Sequence, residues 1–340
     1  MLIELDWVTL KSGEKMRVCL LKPPADDLLD PLKAFFQHYP EQPRRDIFQR
    51  FRGDYAGVCE DFYFIGLIDG QIAGVLWYGY ARDFPDIANF GNVYTSPLHR
   101  KKNITNILMT YFAENFKAGK ARAAFCTCSN PWIVSIYARH GFKPVLPGAE
   151  VGFLMLANHG VTDDFTRFTD DYYAGGPGAN LAVVPGDIRQ RHPIDTLFCF
   201  YKYLRPELFK PRVGLSSIVW NYQYALHRVE DGRGKLFAAT TDDGRVAGWA
   251  FCLNPVSPLE QDIGILDYEI HPKFADFAPT LIKEAAAASK EAFGTINAQI
   301  PSFDPDKTKA FIAAGFKPAG EFPDYGRIEN AGFDLENFQL

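Results

Sequence analysis

No stretch of this 340-residue chain approaches eighteen uninterrupted apolar residues, so the sequence offers no candidate for a membrane-spanning helix. The opening residues, Met1-Leu2-Ile3-Glu4-Leu5-Asp6, carry acids where a secretory leader would carry base and a long apolar run. Basic residues are not in excess either. The formal net charge is −5 and the pI is near 5.8, which argues against a nucleic-acid-binding surface as the main business. Six cysteines (Cys19, Cys59, Cys126, Cys128, Cys199 and Cys252) show no Cys-x-x-Cys spacing, and Cys126-x-Cys128 reads as buried reduced thiols on one face of a strand. His38, His140, His159, His192 and His227 have no metal-ligand spacing, and no Ser/His/Asp arrangement stands in a recognisable context. The expectation is a cytoplasmic protein with no metal, no membrane and no nucleic-acid partner. Apolar content of 47% and charged content of 23% describe a globular chain, long enough for two domains that each bury a core.

The most informative stretch is Val93-Tyr94-Thr95-Ser96-Pro97-Leu98-His99-Arg100-Lys101-Lys102-Asn103-Ile104-Thr105. A strand-like run breaks at proline, a basic turn follows, and a helix begins near Ile104. The first backbone N–H groups of such a helix have no intrahelical partner, and the positive end of its dipole lies behind them. With Arg100, Lys101 and Lys102 alongside, this is a place to bind a phosphate or pyrophosphate.

A second segment is Asn130-Pro131-Trp132-Ile133-Val134-Ser135-Ile136-Tyr137-Ala138-Arg139-His140-Gly141-Phe142. It reads as a short helix with Asn130 at the N-cap and Pro131 at the first helical position. Ile133, Ile136 and Tyr137 share a face, and Gly141 is placed to end the helix. Together the two segments resemble the GNAT N-acetyltransferase superfamily. There, a strand ending in proline leads into Arg/Gln-x-x-Gly-x-Gly/Ala and a helix, and Asn-x-x-Ala-x-x-Leu-Tyr-x-x-x-Gly-Phe follows further along. The chain keeps the second pattern closely, as Asn130-x-x-Ile133-x-x-Ile136-Tyr137-x-x-x-Gly141-Phe142. The first survives as Arg100-x-x-Asn103-x-Thr105, without either glycine. Asn tolerates the left-handed backbone region best after glycine, so Asn103 suits the turn. The branched Cβ of Thr105 is expected to crowd the space a phosphate oxygen would occupy.

The chain also repeats itself. Asp69–Gly74 is echoed by Asp243–Gly248 and Gly141–Pro144 by Gly315–Pro318, both at an offset of 174 (243 − 69 and 315 − 141). Two matches in one register indicate a tandem duplication. In the first half, strands are predicted at Leu2–Thr9, Met16–Leu21, Phe62–Ile68, Ile72–Tyr80, Ala88–Thr95, Ala123–Cys128 and Gly152–Leu156. Helices are predicted at Asp26–His38, Arg44–Val58, Ile104–Lys117 and Trp132–Arg139. The second half gives a helix after Pro193, an aromatic-rich stretch, the Asp243-Gly244 hairpin, a strand at Ile265–Ile270 and a helix at Pro279–Phe293. A strand at Ile296–Ile300 and a helix at Lys307–Ala314 close it. The expected fold class is α+β: two tandem GNAT-like domains, each a mixed, mostly antiparallel sheet flanked by helices, over residues 1–158 and 181–340. Residues 159–180, with Gly175-Gly176-Pro177-Gly178, form the expected linker, although Phe165, Phe168, Tyr172 and Tyr173 suggest that part of it packs.

The resemblance implies acyl-CoA-dependent N-acyl transfer, with acetyl-CoA as co-substrate and a small-molecule or peptide amine as acceptor. It implies that Arg100, Lys101, Lys102, Asn103, Ile104 and Thr105 hold the pyrophosphate. Val93, Tyr94 and Thr95 would pair with the pantetheine arm, Asn130 would bond that arm or orient its helix, and the phenol of Tyr137 would protonate the leaving sulfur. No base is evident: Asp86, His99, Glu60 and Asp61 are merely the nearest ionisable groups. The second half has His271-Pro272-Lys273-Phe274-Ala275-Asp276 where the first has its basic turn, and Phe311 where the first has Tyr137. It reads as a degenerate copy that helps shape or cover the acceptor cleft. The alternative is a non-catalytic acyl-CoA-binding or protein-interaction module, favoured by the missing glycines and base.

Overall fold

Residues 2–157 build one sheet from eight strands: β1 (Leu2–Thr9), β2 (Lys15–Leu21), β3 (Cys59–Ile68), β4 (Gln71–Ala81), β5 (Ile87–Thr95), β6 (Ala123–Cys128), β7 (Lys143–Pro144) and β8 (Gly152–Ala157). Their order is β1-β2-β3-β4-β5-β6-β8-β7. Among the described residues of this sheet, only β5 and β6 pair in parallel. The computed structural model describes residues 1–146, 152–158, 160–174, 180–200, 212–255, 262–328 and 331–340. The chain divides into two units, Met1–Thr169 and Asp170–Leu340.

The period-2 alternation of the central strands sorts side chains onto two cores. Phe62 and Phe64 of β3 and Leu76, Tyr78 and Tyr80 of β4 face α3 (Ile104–Ala118), which supplies Ile104, Leu108, Met109, Phe112 and Phe116. Tyr63 and Ile65 of β3 and Val75 and Trp77 of β4 face the other way, toward α1 (Leu29–Phe35) and α2 (Glu41–Arg52). With helices on both faces, β3 and β4 read as near-continuous apolar runs.

The first two helices are shorter than the expected Asp26–His38 and Arg44–Val58. Asp26 has φ of 44°, which no α-helical residue adopts, so a 3₁₀ turn at Asp26–Leu28 precedes α1. Helix α2 begins earlier than expected because Pro43 is tolerated in a first turn, and it ends at Gly53, φ 81°. Between α2 and the sheet lies a fully buried guanidinium. Arg50 Nε is 3.2 Å from Asp46 Oδ1, and its Nη1 donates to Asp61 Oδ1 at 2.6 Å. Trp77 Nε1 donates to the same Asp61 oxygen at 2.8 Å, and Arg50 lies 4.8 Å over the Trp77 ring.

The second unit has seven strands: β9 (Leu181–Pro185), β10 (Gly234–Thr241), β11 (Val246–Leu253), β12 (Ile263–Ile270), β13 (Thr295–Pro301), β14 (Lys317–Ile328) and β15 (Ala331–Gln339). Their order, β9-β10-β11-β12-β13-β15-β14, repeats that of the first sheet without its β1. The single parallel pair recurs at the matching place, between β12 and β13. After α6 (Arg191–Ile194) and α7 (Tyr222–Glu230), helix α8 (Ala278–Ser289) follows β12 as α3 follows β5, and α9 (Pro305–Ala313) follows β13 as α4 (Pro131–Arg139) follows β6. The repeated turn glycines agree in backbone geometry: φ is 78° at Gly70 and 81° at Gly244, 96° at Gly141 and 99° at Gly315. The two units are thus α+β copies of one plan.

Several elements lie outside the expected set: β7, β9, the helix α7 at Tyr222–Glu230, the β14–β15 hairpin and a helix within residues 159–180. The β14–β15 hairpin was not predicted; β14 is an exposed edge strand with Pro318, Gly320 and Pro323, so it lacks the alternation that marks a strand. Within 159–180, helix α5 (Phe165–Tyr172) forms. Phe165 and Phe168 lie 5.7 and 5.5 Å from the Phe125 ring in the first unit. In the second, the Tyr173 hydroxyl donates to the Val246 carbonyl at 2.9 Å. The Gly175-Gly176-Pro177-Gly178 run, and Tyr201, Tyr203 and Phe209 of the aromatic stretch, lie outside the described residues.

His271 gives the second unit a pH-dependent stability. Its ring stacks on Tyr173 at 4.2 Å, and the Lys273 N–H donates to Nδ1 at 3.3 Å, a bond that leaves Nδ1 without a proton. Burial, with the Lys273 cation second and Asp170 opposing, lowers its pKa from 6.5 to about 4. The unfolded chain therefore binds this proton more readily. The stability is present above pH 6.5 and is lost as pH falls toward about 4. In thermal melts across that window, His271→Asn should flatten the acid-side fall of the second unit by about 1–2 kcal/mol, discounted for the ring's partial exposure. An unchanged slope would remove His271 from the account.

Candidate functional site

Strands β5 and β6 pair only at Ile87–Asn89 with Ala123–Phe125. Beyond that, β5 stays on β4 as far as Thr95–Gly74, and β6 stays on β8 as far as Cys128–Gly152. The parallel pair therefore splays open over Phe90–Thr95 and Cys126–Cys128. A bulge drives the divergence: the β4–β5 register shifts between Val75 and Trp77, and Asn92 has φ of 53°. The Ser96 N–H donates to the Ala73 carbonyl at 2.9 Å. By the alternation of an antiparallel ladder, the N–H and C=O of Thr95, opposite Gly74, then face the open edge. A ligand that lies along this edge as an added strand meets backbone donors and acceptors.

Past the strand end, Lys101 and Asn103 both adopt the left-handed region, φ 64° and 68°. Asn103 thus holds the turn expected of it in place of glycine; the similar backbone at Lys101 was not foreseen. Asn103 provides no side-chain cap to α3, and the first intrahelical bond runs from Ile107 N to Asn103 O at 3.1 Å. The N–H groups of Ile104, Thr105 and Asn106 precede it, and this is an anion-binding arrangement. Close packing fixes the helix start: a Cβ on Gly74 would lie 2.7 Å from Ile104 Cγ2.

The side chains around the turn are disposed differently from what the sequence suggests. The Thr105 hydroxyl is 2.9 Å from that of Thr95, so its polar atom faces the strand. Lys102 is engaged with Glu14, Nζ to carboxylate 2.7 Å, and this bond to Lys102, followed by one from Ser12, holds the Glu14 carboxyl below its usual value. Arg100 is exposed and lies 6.0 Å over the Tyr94 ring. Lys101 is exposed as well.

On the other lip, Asn130 Oδ1 accepts from Trp132 N at 3.0 Å and Ile133 N at 3.4 Å, so its side chain is the N-cap of α4. Tyr137, one turn past Ile133, is 6% exposed and packs against Phe90 (5.2 Å, 90°) and Phe142 (5.7 Å). Burial, then Cys126, Cys128 and Tyr39, raise the pKa of its phenol, which stays protonated at neutral pH.

The acids nearest β5 are occupied elsewhere. Asp86 pairs with Arg122 at 3.4 Å, Glu60 with Arg82 at 2.9 Å and Asp61 with Arg50, while His99 lies 3.4 Å from Lys102. The residue that sequence reasoning passed over is His38, in the turn after α1, whose ring stacks on Tyr94 with centroids 3.8 Å apart. Its distance from Tyr94 in sequence left no spacing signal.

The matching place in the second unit is built otherwise. Strands β12 and β13 also part, after Ile265–Asn297, but β12 has no bulge against β11. Arg212 pairs with Glu269 of β12 at 2.6 Å, and the Leu215 N–H donates to Gln299 of β13 at 2.8 Å, so the segment from Arg212 to Leu215 bridges the gap. Lys307 of α9 reaches Asp267 at 2.5 Å. A 3₁₀ turn, Pro272–Phe277, runs directly into α8 and leaves no exposed helix start like that of α3.

Residues 26–142 match the model of the Acetyltransferase (GNAT) family. The first unit thus contains a segment similar to the GNAT acetyltransferase family, and the second unit repeats its sheet order in tandem. Among solved structures, a GNAT-family acetyltransferase from Streptococcus pneumoniae is 14% identical, over 47% of this chain and 99% of that one, with a TM-score of 0.39. Spermidine N-acetyltransferase from Vibrio cholerae, in complex with CoA and spermine, is 14% identical over 47% and 94% (TM-score 0.37). A phosphinothricin acetyltransferase from Sinorhizobium meliloti, in complex with AcCoA, is 13% identical over 47% and 87% (TM-score 0.39). No curated protein matches the chain. Among the described residues, no helix is long and apolar enough to cross a membrane, and no group of three or more His, Cys, Asp or Glu is placed to hold a metal ion.

Proposed function

We propose that the first unit transfers an acetyl group from acetyl-CoA to the amine of a small molecule or peptide, and that the second unit has no acyl-CoA site of its own. The observation that carries this reading is the splayed β5–β6 edge, which opens beside the uncapped N-terminus of α3. Pantetheine would lie along Val93-Tyr94-Thr95, and the pyrophosphate would take the N–H groups of Ile104 and Thr105 with Arg100 and Lys101 beside it. Lys102 acts on the loop through Glu14. Asn130 orients α4, and Tyr137 donates to sulfur as the thiolate leaves. In the second unit, the bridged gap and the 3₁₀ lead-in to α8 support a role without cofactor.

The test is release of free thiol from acetyl-CoA by the full chain against a panel of amines, together with acetyl-CoA affinity. Arg100→Glu should weaken acetyl-CoA binding by roughly 1.5–3 kcal/mol, the range of charge-assisted hydrogen bonds. An unchanged affinity would remove Arg100 from the site. The pairing of Asp61, Glu60 and Asp86, the acids nearest β5, with arginines favours a second reading, a module that binds acyl-CoA without catalysis; it predicts binding with no thiol release for any amine.

A further inference from the structure

An amine that arrives as an ammonium ion must lose a proton before its nitrogen can attack a thioester. The side chain that the fold brings to the end of β5 is His38. Its ring stacks on Tyr94 at 3.8 Å with planes 29° apart, next to Thr95. His38 Nδ1 is 3.1 Å from the Phe35 carbonyl oxygen. A carbonyl only accepts, so Nδ1 holds the proton and Nε2 carries the lone pair. The residue is exposed, open to an incoming acceptor.

We propose that His38 is the general base of the first unit, an inference that rests on the N-acyltransferase reading above. Tyr94 packs with the α1–α2 core, whereas Tyr137 belongs to the core on the opposite face of the sheet. A proton acceptor and a proton donor thus flank one open strand edge from opposite faces. The ammonium gives a proton to His38 Nε2. The nitrogen then bonds to the carbonyl carbon, the C–S bond breaks, and sulfur takes the phenolic proton of Tyr137. The amine's second proton is lost as the amide forms and restores the phenol through solvent; the imidazolium releases its proton to solvent. The net products are amide, free thiol and one proton. The groups facing His38 are Phe36 and Tyr39 from its own segment (6.5 and 4.8 Å) and Tyr94 from β5. The nearby charges are Arg100, over Tyr94, and Arg44, which donates to the Gln37 carbonyl at 3.1 Å.

The experiment uses the full chain with His38→Gln and His38→Phe, the second keeping an aromatic ring on Tyr94. Thiol release is followed against pH with an amine that the wild type accepts, and acetyl-CoA affinity is measured by calorimetry. Both variants should lose about 10²–10⁴-fold in kcat, lose the acid limb of the pH profile and partly recover at high pH, where the amine arrives deprotonated. Their acetyl-CoA affinity should stay within about twofold of wild type, since the base acts on the acceptor. Unchanged kcat with acetyl-CoA still bound overturns the assignment of His38 and leaves the transferase reading standing. Loss in the Gln variant alone overturns it too, because the ring's part is then stacking. If the wild type releases no thiol with any amine, the transferase reading fails and takes this inference with it.

Discussion

Replacing Tyr137 by phenylalanine is expected to lower turnover by about 10²–10⁴-fold while leaving acetyl-CoA affinity nearly unchanged. The phenol is held protonated by burial, beside Cys126 and Cys128 on the β6 side of the splayed edge. In the proposed reaction a protonated phenol at this place donates to the departing sulfur. Folding should survive the change. Phenylalanine fills the same volume, and the second unit already carries Phe311 at the matching position, fully buried and 5.0 Å from Phe316 as Tyr137 is 5.7 Å from Phe142. Steady-state thiol release with an accepted amine, alongside calorimetry, checks both parts. If turnover is unchanged, Tyr137 is a packing residue and the proton for sulfur comes from elsewhere.

Arg50→Met should destabilise the first unit by about 3–5 kcal/mol, the usual cost of breaking a buried ion pair from one side. Methionine nearly fills the space but leaves the Asp46 and Asp61 carboxylates buried without the guanidinium between them, at 4% and 6% exposure. The loss also removes one tie between α2 and the sheet, since Arg50 joins its own helix to Asp61 and lies over Trp77, while Ile47 and Phe51 still pack there. A fall of roughly 6–20 °C in the melting temperature of the first unit is expected from that energy and a unit of this size. A fall within experimental error would show that α2 is held by its apolar face alone.

What the sequence made legible is what local chemistry specifies. Asn130 and Pro131 mark a helix start, Gly141 and Gly315 mark helix ends, and Asp-Gly pairs mark hairpins; each is found with the backbone its residue type favours. The offset of 174 was readable because these turn residues repeat, and the strand orders of the two units repeat with them. Asn103 could be assigned to the left-handed region for the same reason. Contacts between residues distant in sequence had no such signal. Nothing local links Glu14 to Lys102, His38 to Tyr94 or Arg50 to Asp61, yet these decide where the Lys102 cation is held, which imidazole stacks at the end of β5 and what ties α2 to the sheet. The bulge at Asn92 was equally hidden, because register depends on the partner strand as much as on the residue itself. The bridging of the second gap by Arg212 and Leu215 depends on a segment far from β12 and β13 in sequence.

In the proposed reading, one of the two copies of the fold keeps an acyl-CoA slot and the other closes it with its own chain. Calorimetric titration of the full chain with acetyl-CoA tests this most directly. One site per chain is predicted, with that site weakened by Arg100→Glu and unaffected by Lys273→Glu. Two sites per chain, or a single site that responds to Lys273→Glu and ignores Arg100→Glu, would contradict it.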